Sequence, residues 1–385
     1  MGRNTRRGSR WICEKRQLNV MLFRPPVQKS ISLPFPLIPL SPKRTAGKIK
    51  IVTVEQVAFA APDTQGDSQA LWFEQAGRCA LRHDFLPPRQ LGEVTVRALF
   101  SGISRGTEAL VFGGKVPETE FDRMRGPHQQ GEMSFPVKYG YAMVGLVEEG
   151  PEAFVGKAVF CLHPHQDRFH ISAEEINPLP QALPSDRAVL AANMETALNI
   201  VWDSGMQPGD RIAIFGAGVV GLLTAFIASR IAGTDTVICD TSPKRQEVAQ
   251  ALGINFRLPD DVPRDCDVLI NASASPAALQ NALDHAGFEA RIVEASWYGD
   301  KAVEIPLGQA FHAKRLSIVS SQVGAISPDR RTRWDFGRRM SKALTLLCDD
   351  KLDALISGET PFSAIAEAYP GVLASPDTLC HRIRY

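Results

Sequence analysis

The sequence predicts an α/β protein in which a doubly wound parallel sheet follows a β-rich domain. Three observations support this fold class. Residues 211–320 alternate between apolar strand-like segments and helical segments, a glycine-rich turn follows the first of these strands, and residues 50–184 contain short strand-like runs separated by Gly and Pro. Strands that alternate with helices are typical of a parallel sheet covered by helices on both faces.

The boundaries of the predicted elements follow from the spacing of apolar residues. In the β-rich part, alternation of apolar and polar residues predicts strands over 94–100, 141–148 and 157–161. Helical spacing of apolar residues predicts a helix over 186–204. In the alternating part, strands are predicted at 211–215, 236–240, 268–272, 291–295 and 316–320, and helices at 219–231, 243–252, 276–286 and 335–347.

The first strand–helix unit of the alternating part carries a specific motif, Gly-Ala-Gly-Val-Val-Gly. In such a turn the first glycine permits the tight bend, the second lets the backbone approach a pyrophosphate, and the third lets the helix pack on the strand. The N–H groups at the start of the helix then face the phosphates. The residues predicted to bind a dinucleotide here are Gly216, Gly218, Val219, Val220 and Gly221.

A second strand ends in a carboxylate, Asp240, about twenty residues after the glycine turn. This is the expected position of the group that binds the ribose hydroxyls of NAD, and a carboxylate repels the 2′-phosphate of NADP. Arg245 is also predicted to bind the cofactor, and together with Lys244 it keeps NADP open as an alternative, although both could merely flank the adenine. The weaker interpretation is a similar domain that binds no nucleotide.

Composition is that of an ordinary soluble protein, with 385 residues, 44% hydrophobic, 22% charged and a net charge of +1. Neither nucleic acid nor a membrane is expected as a partner, because the net charge is small and no apolar run reaches the ~20 residues of a membrane span. The seven cysteines are scattered and form no CxxC pair. They predict reduced thiols and a cytoplasmic location.

The basic charge is concentrated in residues 1–48, which we interpret as a leader. Residues 1–50 contain twelve Lys or Arg and one acid, Glu14, so the rest of the chain is mildly acidic. The segment is rich in Arg, Ser and Pro and has neither helical nor strand periodicity. We expect a disordered or wrongly started extension, with a transit peptide as the alternative. Regular structure is predicted to begin near Ile49.

The order of a β-rich domain, a nucleotide domain and a short tail resembles the medium-chain dehydrogenase/reductase superfamily. The motifs that carry the resemblance are SGISRGTE at 101–108, PVKYGYAMVG at 136–145, Gly209-Asp210 before the glycine turn, and Asp240. SGISRGTE and the segment ending at Tyr369 look most similar to the bacteriochlorophyllide hydroxyethyl dehydrogenase branch. The resemblance implies a GroES-like catalytic domain over 49–190, a Rossmann domain over 191–322 and a tail over 323–385 that returns to the catalytic domain.

Zinc members of this superfamily hold a catalytic metal at positions that this chain fills with other residues. The first ligand position is Ser104, the His-Glu pair is replaced by Tyr141 and Ala142, and the third ligand falls at about Ala192 or Asn193. These side chains do not form a zinc ligand set, which requires Cys sulfur, His nitrogen or carboxylate oxygen. The four-cysteine structural zinc lobe is missing as well. No zinc is therefore expected.

Without a metal, hydrogen bonds or a proton donor must polarise the substrate oxygen. The predicted catalytic residues are Ser104 and Tyr141, which replace ligands, and His163 and His165 in the adjacent loop. Histidine titrates near neutral pH and suits proton transfer best. The alternatives are packing for Tyr141, a structural role for Ser104, and ordinary hydrogen-bonded histidines at a strand end. Cys161 and His170 lie close by, so metal binding by this cluster also stays open.

The resemblance also implies two cofactor contacts outside the glycine turn. Arg105 matches a position that reaches the pyrophosphate, and Thr196 matches a threonine beside the nicotinamide. The alternative for Thr196 is a hydroxyl that bonds to a carbonyl in its own helix. The basic segment 330–339, which contains five arginines and Trp334, could bind an anionic or flat aromatic substrate. Its alternative is a solvated start of a helix.

The sequence therefore predicts a zinc-independent, NAD(P)-dependent oxidoreductase. It is expected to interconvert a secondary alcohol and a ketone on a small or biosynthetic substrate, as a homodimer or homotetramer. Two alternatives stay open: reduction of a conjugated C=C bond, and dinucleotide binding without turnover.

Overall fold

The structure, a computed structural model, describes residues 67–385. The basic leader and the predicted start of regular structure near Ile49 lie outside this range. Within residues 67–385, no helix is both long and apolar enough to cross a membrane. The six cysteines of the described part are all free thiols: Cys79, Cys161, Cys239, Cys266, Cys348 and Cys380.

Nine strands and one helix build the β-rich catalytic domain. The strands are β1 (Asp67–Gln75), β2 (Arg78–Phe85), β3 (Glu93–Ile103), β4 (Gln130–Gly131), β5 (Val137–Lys138), β6 (Met143–Glu149), β7 (Ala158–Cys161), β8 (Arg168–Ser172) and β9 (Asn177–Pro178), and the helix is α1 (Arg105–Phe112). One sheet has the order β2-β1-β5-β4, and a second runs through β3, β6, β7 and β9, with β8 paired to β3. The long strand β3 carries the chain into α1, where the candidate site begins.

A long helix, α2 (Ala191–Ser204), joins the catalytic domain to the nucleotide domain. It ends at Gly205, which has a φ of +66°, a conformation that glycine adopts at little cost and that commonly closes helices. Residues 188–190 form a tight 3₁₀ turn rather than the first turn of this helix, so α2 begins five residues later than its apolar spacing predicts. Most of α2 is buried, because it packs on both domains.

The nucleotide domain has a six-stranded parallel sheet. Its strands are β10 (Arg211–Phe215), β11 (Asp235–Cys239), β12 (Asn255–Arg257), β13 (Cys266–Asn271), β14 (Ala286–Glu294) and β15 (Ser317–Ser320), with helices α3 (Val219–Ala228), α4 (Arg245–Ala251) and α5 (Pro276–His285). The strand order is β12-β11-β10-β13-β14-β15. In this doubly wound order the first three strands run outward from β10 and the next three begin on its other side, so ligands are expected at the carboxyl end of β10. The predicted fold class is confirmed.

The tail crosses back and joins the catalytic domain. Its elements are α6 (Phe336–Leu346), β16 (Ile356–Pro361), α7 (Ile365–Ala374) and β17 (Cys380–Arg384). Strand β17 pairs antiparallel with the last residues of β3, and β16 pairs with β17. Helix α6 packs against α2. The tail therefore contacts the same end of β3 that leads into the candidate site.

Candidate active site

The glycine turn leaves an open space in front of helix α3. Gly216 has a φ of +103°, and a Cβ on Gly221 would lie 1.9 Å from the Gly216 carbonyl oxygen, so packing explains both glycines. A Cβ on Gly218 would meet no atom within 4 Å. The missing side chain of Gly218 is therefore not required by protein packing, and the space it leaves beside the first N–H groups of α3 fits a pyrophosphate. The residues present fit a dinucleotide.

Asp240 follows β11 directly and is held beside this turn. Its Oδ2 accepts a hydrogen bond from the backbone N–H of Ala217 at 2.8 Å, and its Oδ1 accepts one from Ser242 at 2.9 Å. Two backbone donors fix the carboxylate at the carboxyl end of the first two strands. A carboxylate in this place can accept hydrogen bonds from two ribose hydroxyls.

The basic residues predicted near the cofactor all contact the end of the tail. Arg245 is 7% exposed, and its guanidinium donates to the backbone carbonyl of Pro376 at 2.7 Å. Lys244 pairs with Asp377 at 2.7 Å. Arg105, at the start of α1, donates to the carbonyl of Ser375 at 3.3 Å and has no carboxylate partner among the described residues. The structure thus brings Arg105 and Arg245, from different domains, to one short loop.

Thr196 lies on α2 one turn after the third ligand position. Its hydroxyl donates to the carbonyl of Ala192 at 2.9 Å, which is the intrahelical bond that the sequence leaves open as an alternative. The hydroxyl is partly exposed and its oxygen can still accept a hydrogen bond.

The residues at the three zinc-ligand positions lie together. Asn193 donates from its side-chain amide to the Ser104 hydroxyl at 3.3 Å. Burial raises the pKa of Tyr141 to about 12; the charge of Glu108 adds to the rise, and the hydroxyls of Ser104 and Thr107 partly offset it. At neutral pH Tyr141 is therefore a hydrogen-bond donor.

This cluster does not fit a catalytic zinc. It offers two hydroxyls and one amide where zinc requires thiolate, imidazole or carboxylate. Ala142 and Ala192, which flank it, are buried hydrophobic residues. Throughout residues 67–385, no group of three His, Cys, Asp or Glu side chains is arranged to hold a metal ion. The donor chemistry of the cluster is that of a hydrogen-bonding pocket.

Behind Ser104 lies a buried carboxylate network formed by Ser101, Glu108, His165, Tyr369 and Tyr385. Glu108 is fully buried; its Oε1 accepts the backbone N–H of Ser104 at 2.7 Å, and its Oε2 accepts from Tyr369 and contacts His165 Nε2 at 3.0 Å. The other ring nitrogen of His165 lies 2.8 Å from the Ser101 hydroxyl, which contacts the Tyr385 hydroxyl at 2.9 Å. The network joins the turn after β3 to helix α7 of the tail, through Tyr369, and to Tyr385 after β17.

The two histidines predicted as catalytic lie in different surroundings. His165 has no exposed surface and uses both ring nitrogens inside the buried carboxylate network. His163 stacks on Phe169 with ring centroids 3.6 Å apart, and its Nδ1 donates to the carbonyl of Pro164. Burial lowers the pKa of His163 well below its usual value, so this imidazole is neutral. Neither ring forms a hydrogen bond with Ser104 or Tyr141. Cys161 and His170 do not join the two histidines in a group that could hold a metal ion.

The basic segment is divided between surface and core. Arg339 is 1% exposed and bonds to Glu195 at 3.0 Å and to Asn199 at 2.6 Å, so it cannot bind substrate. Trp334 packs against Trp202 with ring centroids 4.8 Å apart. The remaining arginines of the segment line its exposed side: Arg330, Arg331, Arg333 and Arg338.

Sequence reasoning did not assign a role to Glu108, Tyr369 or Asn193. Glu108 and Tyr369 both stand in the motifs that carry the family resemblance, and Asn193 was weighed only as a zinc ligand. A glutamate that follows an apolar strand at the start of a helix could have been recognised as a buried acid in need of donors. Its two side-chain partners, His165 and Tyr369, lie 57 and 261 residues away, and no local pattern identifies them.

Comparisons with known proteins agree with this architecture. No protein-family model matches the chain. An uncharacterised zinc-type alcohol dehydrogenase-like protein of Haemophilus influenzae is 28% identical over 47% of this chain and 52% of its own length, so the match spans about half of that relative. (R,R)-butanediol dehydrogenase of Bacillus subtilis is 25% identical over 61% of this chain and 79% of that protein. A crystal structure of the Bacillus subtilis butanediol dehydrogenase superposes with a TM-score of 0.67 at 19% identity, covering 83% and 99% of the two chains.

In sequence and in fold the chain resembles zinc-type alcohol dehydrogenase-like members of the medium-chain dehydrogenase/reductase superfamily. The named relatives and the structures of the same fold are dehydrogenases, which supports an enzyme of this type. The bacteriochlorophyllide branch is represented by a dehydrogenase of Rhodobacter capsulatus, 24% identical over 75% of this chain and 88% of that protein. That identity lies within the 23–31% range of the sugar and polyol dehydrogenases, so the branch stays a prediction.

Proposed function

We propose that the protein interconverts a secondary alcohol and a ketone by hydride transfer with a nicotinamide cofactor, NAD rather than NADP, and that it uses no catalytic zinc. The observation that carries the proposal is the Ser104–Tyr141–Asn193 cluster, which occupies the zinc-ligand positions with hydrogen-bonding groups. Relatives named for butanediol, galactonate and guloside oxidation support the alcohol–ketone reaction.

The cluster and the glycine turn share one hydrophobic core. Ala217 of the turn belongs to the same buried cluster as Ala142 and Ala192, and Tyr141 and Val219 pack against it. This packing supports an active site between the two domains. The nicotinamide supplies or accepts the hydride when bound. Gly218 and the start of α3 would hold its pyrophosphate, Asp240 its ribose, and Arg105 a phosphate oxygen.

The protein's own contribution is to orient and polarise the substrate oxygen. Tyr141 carries its proton at neutral pH because its pKa lies at about 12, so it donates a hydrogen bond to a ketone oxygen and can protonate the alkoxide as it forms. Ser104 and Asn193 hold the phenol and the substrate oxygen in place. Glu108 acts indirectly: its Oε1 accepts the backbone N–H of Ser104 and so fixes the position of that residue. His165 is then a positioning residue rather than the proton carrier.

Label transfer tests this proposal. The full chain is incubated with a panel of secondary alcohols and sugar acids that includes (R,R)-butanediol and L-galactonate, and reduced nicotinamide is followed by its absorbance. The ketone product of any substrate that reacts is then reduced with cofactor deuterated at C4. Deuterium on the carbinol carbon supports the proposal. The same deuterated cofactor is also offered with a conjugated enone, and deuterium β to its carbonyl instead identifies a C=C reductase. Cofactor binding without turnover of any of these compounds identifies a non-catalytic binder.

A further inference from the structure

The two basic side chains that lie closest in sequence after Asp240 both contact one loop of the tail. This tail loop consists of residues 375–378, between α7 and β17. Lys244 and Arg245 follow Asp240 by four and five residues, at the start of α4, and both contact the tail loop. Cations after the second strand of a doubly wound sheet are the groups that accommodate a 2′-phosphate. Their contacts therefore bear on the choice between NAD and NADP.

Arg245 is committed to backbone carbonyls. Its guanidinium donates to Pro376 at 2.7 Å, Asp377 at 3.3 Å and Thr378 at 3.4 Å, and the residue is 7% exposed. A guanidinium has five N–H donors in a rigid fork, and that of Arg245 makes three hydrogen bonds to the loop. Turning it toward a phosphate would break these three hydrogen bonds, which is unfavourable.

Lys244 is the more available cation, and a carboxylate neutralises it. Its Nζ lies 2.7 Å from Asp377 Oδ2, with the two side chains 72% and 55% exposed. The pairing with Lys244 lowers the pKa of Asp377, so the carboxylate is charged at neutral pH. A 2′-phosphate, which carries more than one negative charge, would compete with Asp377 for Lys244 while also facing Asp240.

Proteins of the same fold use either cofactor, so the discrimination must come from local residues. A short chain alcohol dehydrogenase of Escherichia coli with this fold is complexed with NADH (TM-score 0.66, 17% identity), and TarJ of Staphylococcus aureus is complexed with NADPH (TM-score 0.64, 14% identity). This chain has the proposed ribose-binding acid, Asp240, and two cations, Lys244 and Arg245, within six residues. These three residues alone do not decide between NAD and NADP.

We infer that Asp377 is a specificity-determining residue: by neutralising Lys244 it keeps the adenosine end of the site selective for NAD, 137 positions after the acid that binds the ribose. The inference rests on the proposed nicotinamide cofactor. The same loop also accepts a hydrogen bond from Arg105 of the catalytic domain. The tail loop therefore contacts the catalytic domain as well as the two cations that bear on cofactor choice.

Binding of two fragments to the full chain tests the inference without any substrate. 2′,5′-ADP and 5′-AMP differ only by the 2′-phosphate, and calorimetry gives the affinity of each. Asp377→Asn keeps the shape of the side chain and removes its charge. We expect it to raise the affinity for 2′,5′-ADP about fivefold, the upper end of the effect of one exposed ion pair, with 5′-AMP unchanged. Asp377→Glu, which restores the charge, should return the ratio to that of the wild type.

Two further variants decide whether the effect comes from this pair. Adding Lys244→Ala to Asp377→Asn should cancel the gain, because the freed cation is gone. Asp284→Asn, which removes an exposed carboxylate from α5, should leave the ratio unchanged. An unchanged ratio in Asp377→Asn, a gain that persists without Lys244, or an equal gain in Asp284→Asn would each overturn the inference. If the wild type binds neither 5′-AMP nor NAD, the proposed function itself fails, and that result is recognisable before any variant is made.

Discussion

Replacing Tyr369 with phenylalanine removes one hydroxyl from the buried carboxylate network and keeps the ring. The ring packs against Phe73 and Phe112, each with centroids 5.3 Å away, and phenylalanine preserves both contacts. The lost hydrogen bond goes to a fully buried acceptor, and removing one partner of such a group costs about 1–3 kcal/mol. Glu108 retains its contacts with Ser104 N–H and His165, so the full cost of an unpaired buried charge does not arise. We expect a loss of about 2 kcal/mol.

Urea unfolding followed by circular dichroism measures this loss. Tyr139→Phe is the matched control: Tyr139 is 3% exposed in the same hydrophobic cluster, and its hydroxyl bonds to no other residue of the described part. The control should lose less than about 0.5 kcal/mol, as substitutions that remove no specific interaction do. If Tyr369→Phe is no more destabilising than Tyr139→Phe, Glu108 does not depend on Tyr369, and the network does not tie the tail to the site as described.

Three other outcomes are expected. Tyr141→Phe should lower kcat for ketone reduction about 100-fold with little change in KM. In the wild type, the rate of the Tyr141-dependent step of reduction should be constant near neutral pH. It should decline as the pH approaches 12, because the phenol is protonated only below its pKa. Gly218→Ala should weaken NAD binding while leaving the thermal midpoint unchanged, whereas Gly221→Ala should lower the midpoint, because its Cβ would lie 1.9 Å from a carbonyl oxygen. Arg339→Met should cost about 3–5 kcal/mol of unfolding free energy by leaving Glu195 buried without its partner, and adding Glu195→Leu should recover most of it.

The nucleotide domain was largely predictable because its signals are local. Strand β10 and helix α3 follow from an apolar run, three glycines and a second apolar run, all within 18 consecutive residues, and the strand bounds agree with the structure. Strand β12 was missed, since three residues, Asn255–Arg257, carry too little alternation to show a period. It forms because it extends the sheet beyond β11, which is a tertiary effect.

The candidate site was less predictable because its contacts are distant in sequence. The substitution of zinc ligands by Ser104 and Tyr141 can be read from the motifs. The burial of His165 cannot, since Glu108 and Ser101, which occupy its two ring nitrogens, belong to another part of the chain. Arg339 shows the same limit: its segment has the composition of a solvated surface, yet the side chain is drawn inward by Glu195 on α2.

The central claim is that hydrogen bonds from Tyr141 and Ser104 take the place of a metal. Zinc content of the purified full chain, measured by plasma emission after exchange into metal-free buffer, tests it most directly. We expect far less than one zinc per chain, in a protein that still binds NAD and keeps its activity in the presence of a chelator. One zinc per chain that is lost in Tyr141→Phe or Ser104→Ala would place a metal at this cluster and contradict the account.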